Sequence, residues 1–337
     1  MLIILKIRKG WFQKMKKIIQ ENRCLYKYKT LYSKNYKEEL IRDSNGDIQL
    51  NEYTLNMLLN GEICLQSPLK FNDPFDCLVP IKFELSRKKI YNALCKRKDL
   101  DALKEKIITD YDNDFDWYYE DFIENTKFPK IKEKFTHEMV DQYGVYCLSK
   151  NKDNVLMWSH YAHNHEGICI GIKTERFGKK QKLINLSMTE INPNNQNEKE
   201  KINIPAIFDK VHYVSTHKKI KPIKYPTMSQ KDIYNSIFQK SKCWKYEQEY
   251  RIVAPRDQIE YSEANNNKAG CNKAYIDVNS ISEIYFGINT DIEAARTLVK
   301  ILRKKLTNFE NIQFYKMIKN KDHFNLENYK LDSKLIY

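Results

Sequence analysis

Hydrophobic positions recur along the chain at two periods, and together they predict both helices and strands. Apolar residues at helical spacing predict helices over residues 51–59, 154–162, 229–242 and 291–305. Asn60 and Gly61 suit a left-handed cap after the first helix. The last helix has acidic residues in its first turn and basic residues in its last turn, which suits the helix dipole. We therefore expect well-defined ends for these two helices.

Short apolar runs bounded by turn residues predict strands. They lie at residues 24–28, 62–66, 144–149, 167–173, 211–215, 250–254, 274–278 and 281–287. Residues 81–136 are charged, with regularly spaced aromatics, and predict a helical insertion; residues 187–203 are rich in Asn, Glu and Lys and predict a flexible loop. Strands and helices neither alternate nor segregate, which favours an α+β fold with a mixed sheet.

The predicted organisation is a single α+β domain over residues 23–310. A lead-in over residues 1–22 precedes it, and residues 311–337 form a C-terminal extension. The apolar run at residues 1–7 is too short to span a membrane and lacks the layout of a signal peptide. We expect a cytoplasmic protein without integral membrane association, and a natural start at Met15 is an alternative to Met1.

Composition adds a basic charge and free thiols to this expectation. The formal net charge of +14 would suit a nucleic-acid partner, but its even spread along the chain also suits simple solvation of helices. The eight cysteines form no Cys-x-x-Cys pair, and several, such as Cys64 and Cys169, lie in apolar runs. This pattern predicts small buried side chains in a reducing compartment rather than a disulfide framework.

The first block of candidate chemistry joins Lys27 and Tyr28 to a later Asn-Asp-Pro segment. Asn72 and Asp73 can bond to their own backbone, and Pro74 fixes the next turn, so a structural turn between two buried phenylalanines explains the segment. The functional alternative is that this turn closes one wall of a pocket.

The second block places Ser149 at the end of a strand and aromatic side chains on the following helix. Trp158, His160 and Tyr161 fall within one helical turn and could line the rim of a pocket, with Ser159 beside them. The alternative is a helix packed into the core.

The third block carries two acids that would share one face of a strand. Glu247 and Glu249 repel each other unless they are exposed or functional, and Arg251 on the same face could compensate them. A salt-bridged strand end explains the pattern; the functional alternative is a pair that stabilises a cationic sugar and aligns an acceptor.

Established metal and nucleotide motifs are missing. His160, His163 and His165 have no acid or cysteine at helical spacing to complete a zinc site, and the acids of residues 110–119 fit no oxygen-ligand loop. No phosphate-binding glycine loop and no Gly-x-Ser-x-Gly elbow occur. We therefore predict no metal site.

Over residues 26–298 the chain resembles bacterial proteins of domain-of-unknown-function family 2971. The resemblance rests on Tyr-Lys-Tyr, Phe-Asn-Asp-Pro-Phe-Asp, Met-Trp-Ser-His-Tyr-Ala, His-Glu-Gly-Ile-Cys-Ile-Gly, Trp-Lys-Tyr-Glu-Gln-Glu-Tyr-Arg and Ile-Tyr-Phe-Gly. The second and third blocks also resemble motifs of ADP-ribosyltransferases, which carry three separated motifs on a split mixed sheet. In the first motif Lys27 stands where those enzymes have His or Arg.

This second resemblance implies NAD as substrate and gives the residues roles. Tyr161 would stack on nicotinamide, Glu249 would bind the ribose 2′-hydroxyl and stabilise the transition state, and Glu247 would orient or deprotonate the acceptor. The NAD-binding candidates are Lys27, Tyr28, Asn72, Asp73, Ser149, Trp158, Ser159, His160 and Arg251.

The leading hypothesis is therefore an enzyme that transfers ADP-ribose from NAD to a protein or nucleic acid, or hydrolyses NAD. A toxin or phage-defence role is the general expectation for such enzymes. The first alternative is a non-catalytic nucleic-acid-binding module. The second is a metal-dependent nuclease that uses Asp73, Asp76, Glu247 and Glu249, although Arg251 stands where such a site would have Lys.

Overall fold

The computed structural model describes most of the predicted domain. The described residues are 23–35, 39–44, 46–77, 140–177, 181–191, 199–216, 236–255, 261–262 and 271–332. The lead-in over residues 1–22 and the helical insertion over residues 81–136 lie outside them.

Three α-helices and fourteen strands form within the described residues. The helices are α1 (Glu52–Asn60), α2 (Val155–Tyr161) and α3 (Ile292–Lys305). The strands are β1 (Arg23–Lys29), β2 (Glu62–Leu65), β3 (Tyr143–Ser149), β4 (Ile168–Phe177), β5 (Gln181–Ile191), β6 (Lys199–Lys210), β7 (His212–Val214), β8 (Gln239–Ser241), β9 (Glu249–Pro255), β10 (Tyr261–Ser262), β11 (Cys271–Ile276), β12 (Ile281–Phe286), β13 (Gln313–Lys319) and β14 (Leu326–Leu331). Short 3-10 helices cover Pro68–Lys70, Lys242–Glu247, Val278–Ser280 and Phe309–Asn311.

Twelve of these described strands form one mixed sheet. Its order is β10-β11-β5-β6-β9-β3-β1-β4-β12-β13-β14, with β2 paired to β11, and β7 and β8 form a separate parallel pair. Strand β12 pairs parallel to β13, whereas β1 pairs antiparallel to both β3 and β4. The predicted α+β class with a mixed sheet is confirmed.

Helix α3 packs its apolar stripe against the main sheet. Ala294, Leu298 and Leu302 recur at helical spacing and are fully buried in one cluster with Ile170 and Ile284 of the neighbouring strands. Because α3 connects two parallel strands, it supplies the crossover that such a pair requires. This packing stabilises one side of the sheet and leaves another region free to form a site.

Capping residues define the ends of α1 and the start of α3. The Asn51 side chain accepts a hydrogen bond from the Thr54 amide at the start of α1, and Gly61 ends that helix with φ 71°. Asp291 caps α3 in the same way through the Ala294 amide. The helices predicted over residues 51–59, 154–162 and 291–305 are confirmed.

Two polar segments form strands instead of the predicted elements. Residues 187–191 and 199–203, expected in a flexible loop, belong to β5 and β6, which pair along their length. Residues 239–241, expected at the end of a helix, form β8 beside β7. Strand pairing overrides local polarity in both cases, because backbone hydrogen bonds and not an apolar run hold these segments.

The predicted C-terminal extension is part of the sheet. Strand β13 pairs with β12, and β14 pairs with β13, so the sheet continues past residue 310. Phe314 and Met317 of β13 are buried, which ties this region to the core. The signal was weak because charged residues interrupt the apolar positions in both strands.

Five of the described cysteines are free thiols, as predicted, but only two of these five are buried. Cys77 and Cys169 are buried free thiols, but Cys64 is disulfide-bonded. In β2 the alternation turns Ile63 and Leu65 into the core and leaves Cys64 half-buried on the opposite face. The expectation of a buried free thiol is therefore wrong at Cys64.

Among the described residues, no helix is long and apolar enough to cross a membrane.

Candidate functional site

The three blocks of candidate residues meet on adjacent strands. In the middle of the sheet, Tyr26 of β1 lies opposite Ser149 of β3, and Ser149 lies opposite Glu249 of β9. The three blocks are far apart in sequence, so only the strand register brings them together. This row marks the floor of the candidate site.

A cavity of about 400 Å³ opens beside this row. Eight of the predicted site residues line it. They are Lys27, Tyr28, Asn72, Ser149, His160, Tyr161, Glu247 and Glu249.

Four other predicted site residues do not line the cavity, for different reasons. Trp158 is fully buried, and its indole N–H donates to the Lys152 carbonyl at 2.8 Å. The Ser159 hydroxyl hydrogen-bonds to the Val155 carbonyl and to His165, 3.0 Å in each case. The packed-helix interpretation is right for Trp158, whereas Ser159 is only half-buried.

Asp73 and Arg251 are the other two. The Asp73 carboxylate accepts from the Phe75 amide at 2.9 Å, as the predicted turn requires. The expected burial of both flanking phenylalanines is wrong, because Phe75 is exposed and Phe71 is half-buried. Arg251 has no exposed surface and acts behind the cavity wall. It therefore acts on the site through its neighbours.

The sequence predicted Glu247 and Glu249 on one strand, but the structure places them on different elements. Glu247 is the last residue of the 3-10 helix Lys242–Glu247, and Glu249 is the first residue of β9. Gln248 between them takes a left-handed conformation with φ 43°. Both carboxylates nevertheless converge, because the turn at Gln248 brings them toward the same ammonium group. The predicted geometry was wrong, and the predicted proximity was right.

That ammonium belongs to Lys240, which the sequence did not single out. Its Nζ lies 2.5 Å from Glu247 Oε2, 3.3 Å from Glu249 Oε2 and 3.2 Å from Asp76 Oδ2. All four side chains are buried. Lys240 was missed because its segment was assigned to a helix, where a lysine is normally on the solvated face.

Arg251 is the second buried cation of this cluster. Its guanidinium binds Glu249 through two hydrogen bonds of 2.9 Å and Asp76 through one of 2.7 Å. Its Nη1 group donates to the Ile237 carbonyl at 2.5 Å and to Cys77 Sγ at 3.1 Å. The planar fork of arginine suits this bidentate geometry, so Arg251 fixes Glu249 in one orientation.

The two glutamates therefore have different electrostatic environments. Burial alone would raise the pKa of Glu249, but Arg251 and then Lys240 outweigh it and hold that pKa at about 2. Burial raises the pKa of Glu247 above its ordinary value, although Lys240 opposes the shift. Glu249 is a fixed anion, whereas Glu247 is the carboxylate that is easier to protonate.

Glu247 is held at both its side chain and its backbone. The Tyr161 hydroxyl donates to Glu247 Oε1 at 2.6 Å, and the Ser149 hydroxyl donates to the Glu247 carbonyl at 2.6 Å. Asn72 lies 3.4 Å from the Tyr161 hydroxyl and donates to it. Residues from all three blocks thus position one carboxylate at the cavity wall.

Lys27 and Tyr28 line the cavity from β1. The Lys27 ammonium donates to the Cys147 carbonyl at 2.9 Å and lies 4.5 Å from the centre of the Tyr146 ring. Burial lowers the pKa of Lys27, while Cys147 and the two glutamates oppose the shift. The Tyr28 hydroxyl is used in the structure, since it donates to the Asn151 carbonyl at 2.9 Å.

The acids of the cluster do not form a metal site in the described part of the chain. No group of three or more metal-ligating side chains is found there. Asp76, Glu247 and Glu249 do converge, but the Lys240 ammonium occupies the point that a shared divalent cation would need. Asp73 lies in a separate turn, so the four acids of the nuclease hypothesis do not act together.

Comparison with known families bears on the part of the chain that builds this site. Residues 157–252 match the family model described as "Protein of unknown function (DUF2971)". The match includes the last five residues of α2, Lys240, the two glutamates and Arg251, and it supports the resemblance to that family seen in the sequence. No curated protein and no solved structure matches the chain.

Proposed function

We propose that the cavity binds NAD and that the protein is an ADP-ribosyltransferase-like enzyme, which transfers ADP-ribose to a protein, a nucleic acid or water. The observation that carries the proposal is the 2.6 Å hydrogen bond from Tyr161 to Glu247 at the cavity wall. It places a positioned carboxylate beside an aromatic ring, which is what a cationic sugar and a planar leaving group require. The three blocks on β1, β3 and β9 support a core of the ADP-ribosyltransferase type.

The proposed reaction breaks the bond between the nicotinamide nitrogen and ribose C1′. The electron pair of that bond goes to nicotinamide, which leaves as a neutral molecule, and C1′ becomes cationic. An acceptor oxygen or nitrogen then bonds to C1′ and loses its proton. A carboxylate that faces C1′ stabilises the cation, and a water-poor cavity strengthens that interaction.

The geometry shifts the roles between the two glutamates. Both oxygens of Glu249 are hydrogen-bonded to Arg251, and one of them also faces Lys240. Glu247 lines the cavity through its bond to Tyr161, so we assign it the stabilisation of the sugar cation. Glu249 acts as a positioning residue, because it holds Lys240 and thereby orients Glu247.

The surroundings of the cavity suit the rest of NAD. The half-buried Tyr161 ring provides a stacking surface for nicotinamide. Lys27 supplies a cation at the wall for ribose or pyrophosphate oxygens, although lysine lacks the bidentate fork of arginine.

The test is nicotinamide release from NAD by the purified protein. We expect release by the wild type and a loss of about 100-fold or more in Glu247→Gln, since this is the usual effect of removing one electrostatic stabiliser. Glu293→Gln is the matched control, because Glu293 is an exposed acid paired with Arg42 on the surface. Thermal unfolding of each variant checks that the fold is kept.

Two outcomes would contradict the proposal. One is unchanged release in Glu247→Gln; the other is no release by the wild type, with or without added cell extract. If release occurs, its dependence on added cell extract separates transfer to a macromolecule from hydrolysis.

A further inference from the structure

Three aromatic side chains form a rim next to the cavity. The rim consists of His160 at the end of α2 and of Trp244 and Tyr246 on the 3-10 helix. Their ring centres lie 6.5 Å apart for His160 and Trp244, 6.4 Å for His160 and Tyr246, and 6.0 Å for Trp244 and Tyr246. His160 is exposed and the other two are half-buried, so part of each ring faces solvent.

The rim is directly connected to the acidic cluster. His160 also lines the cavity, and the Lys240 ammonium lies 5.2 Å from the centre of the Trp244 ring. Tyr246 precedes Glu247 in the chain. A ligand on the rim would therefore extend into the cavity toward Glu247.

The charges around the rim select the kind of ligand. Lys242 and Lys245 are exposed on the same 3-10 helix, whereas three buried carboxylates compensate the charge of Lys240. Such a positive environment repels a cationic ligand, which an aromatic cage alone would attract. It favours a ligand that combines a flat ring with negative charge.

A nucleotide has both properties. A base stacked between two rings needs about 3.5 Å on each side, so the two ring planes must lie about 7 Å apart. The His160 and Tyr246 rings are 6.4 Å apart and tilted by 36°. Binding of a base between them would require the exposed His160 ring to turn outward. Aromatic rings stack on any base, because every base has a π-face.

We propose that the rim of His160, Trp244 and Tyr246 is a nucleotide-binding subsite that stacks an adenine base, with Lys242 and Lys245 facing its phosphate. In the setting of the proposed function, this subsite holds the adenosine monophosphate half of NAD while the nicotinamide half enters the cavity. The inference rests on that function for its purpose, but the binding itself requires no turnover.

The test is calorimetric titration of the full chain with adenosine monophosphate, and separately with nicotinamide. We expect the wild type to bind adenosine monophosphate and Trp244→Ala to bind it about tenfold more weakly or worse, as expected for the loss of one stacking partner. Trp244→Phe keeps a ring and should stay within about threefold of the wild type. Tyr53→Ala is the matched control, because Tyr53 is an exposed ring on α1.

The outcomes separate this inference from the proposed function. Equal affinity in Trp244→Ala, or no binding to the wild type, overturns the subsite. Capture of a single-stranded oligonucleotide that requires Trp244, without binding of the mononucleotide, also overturns it in favour of a nucleic-acid surface. Trp244-dependent binding without any NAD cleavage supports the subsite and rejects the proposed function.

Discussion

At the scale of single residues, the site depends on giving two identical side chains opposite properties. Glu249 faces two buried cations, and its pKa is held at about 2, whereas burial raises the pKa of Glu247. The difference follows from Arg251, which donates two hydrogen bonds to Glu249 and, within the described residues, none to Glu247. One acid is thereby a fixed anion and the other is available at the cavity wall.

The low pKa of Glu249 makes a prediction about stability. A carboxyl group whose pKa is lower in the folded chain contributes stability above its unfolded pKa and loses it as pH falls through the folded value. For Glu249 the window runs from its ordinary value of 4.5 down to about 2. At about 1.4 kcal/mol for each pKa unit, the contribution is on the order of 3 kcal/mol.

The measurement is the free energy of unfolding of wild type and Glu249→Gln at several pH values between 6 and about 2. We expect the variant to be less stable at pH 6 and the difference to shrink through the window. The other acids that titrate in this range are common to both proteins and cancel in the difference. A difference that stays constant with pH would show that the Glu249 charge is not stabilised by Arg251 and Lys240.

At the scale of elements, the end of α1 depends on a close approach between two backbones. Gly61 takes a left-handed conformation with φ 71°, and a Cβ at this position would lie 2.0 Å from the Ile276 carbonyl oxygen. The Ile276 amide also donates to the Gly61 carbonyl at 2.9 Å. The helix therefore has to end in glycine for β11 to pass beside it.

Gly61→Ala should therefore destabilise the protein more than a change of backbone freedom alone explains. Gly46→Ala is the matched control, because Gly46 also has a positive φ of 82° but has open space where the Cβ would lie. We expect Gly61→Ala to lower the free energy of unfolding by about 1–3 kcal/mol more than Gly46→Ala, the usual effect of overpacking. Urea unfolding measures both, and equal effects would argue against the close approach.

Local signals explain which elements the sequence predicted. Asn51, Gly61 and Asp291 are caps, and caps act within a few residues, so the ends of α1 and α3 were readable without tertiary information. The polar strands β5 and β6 were not readable, because pairing with a partner strand holds them.

The candidate site was predictable in its residue types and not in its geometry. Tyr161, Glu247 and Glu249 were singled out by their chemistry, and the structure places all three at one cavity. No sequence pattern pointed to Lys240, because its role depends on strand β8, which the polar sequence did not predict. The row that joins Tyr26 to Glu249 depends on register between distant strands, and no local pattern encodes it.

At the scale of the whole molecule, the C-terminal strands determine how much chain the fold needs. Strand β13 pairs with β12 in the sheet, and its Phe314 ring stacks on the Phe286 ring with centres 6.3 Å apart. Met317 packs with Tyr28 and Trp158 in a buried hydrophobic cluster beside the candidate site. The C-terminal region thus supports both the core and the wall of the cavity.

A chain that ends at residue 310 should fail to fold, although the sequence alone suggested that it would keep the whole domain. It would lose Phe314, Met317 and Leu326, all of which are buried. Each such side chain contributes about 1.5–3 kcal/mol by burial, and a typical domain is stable by only about 5–15 kcal/mol. The truncation would also expose Phe286 and leave β12 as an unpaired edge, which favours aggregation.

A chain that ends at residue 332 keeps both strands and is the control. Circular dichroism and gel filtration compare the two, and a cooperative thermal transition in the shorter chain would show that β13 and β14 are an accessory to a domain that is complete without them.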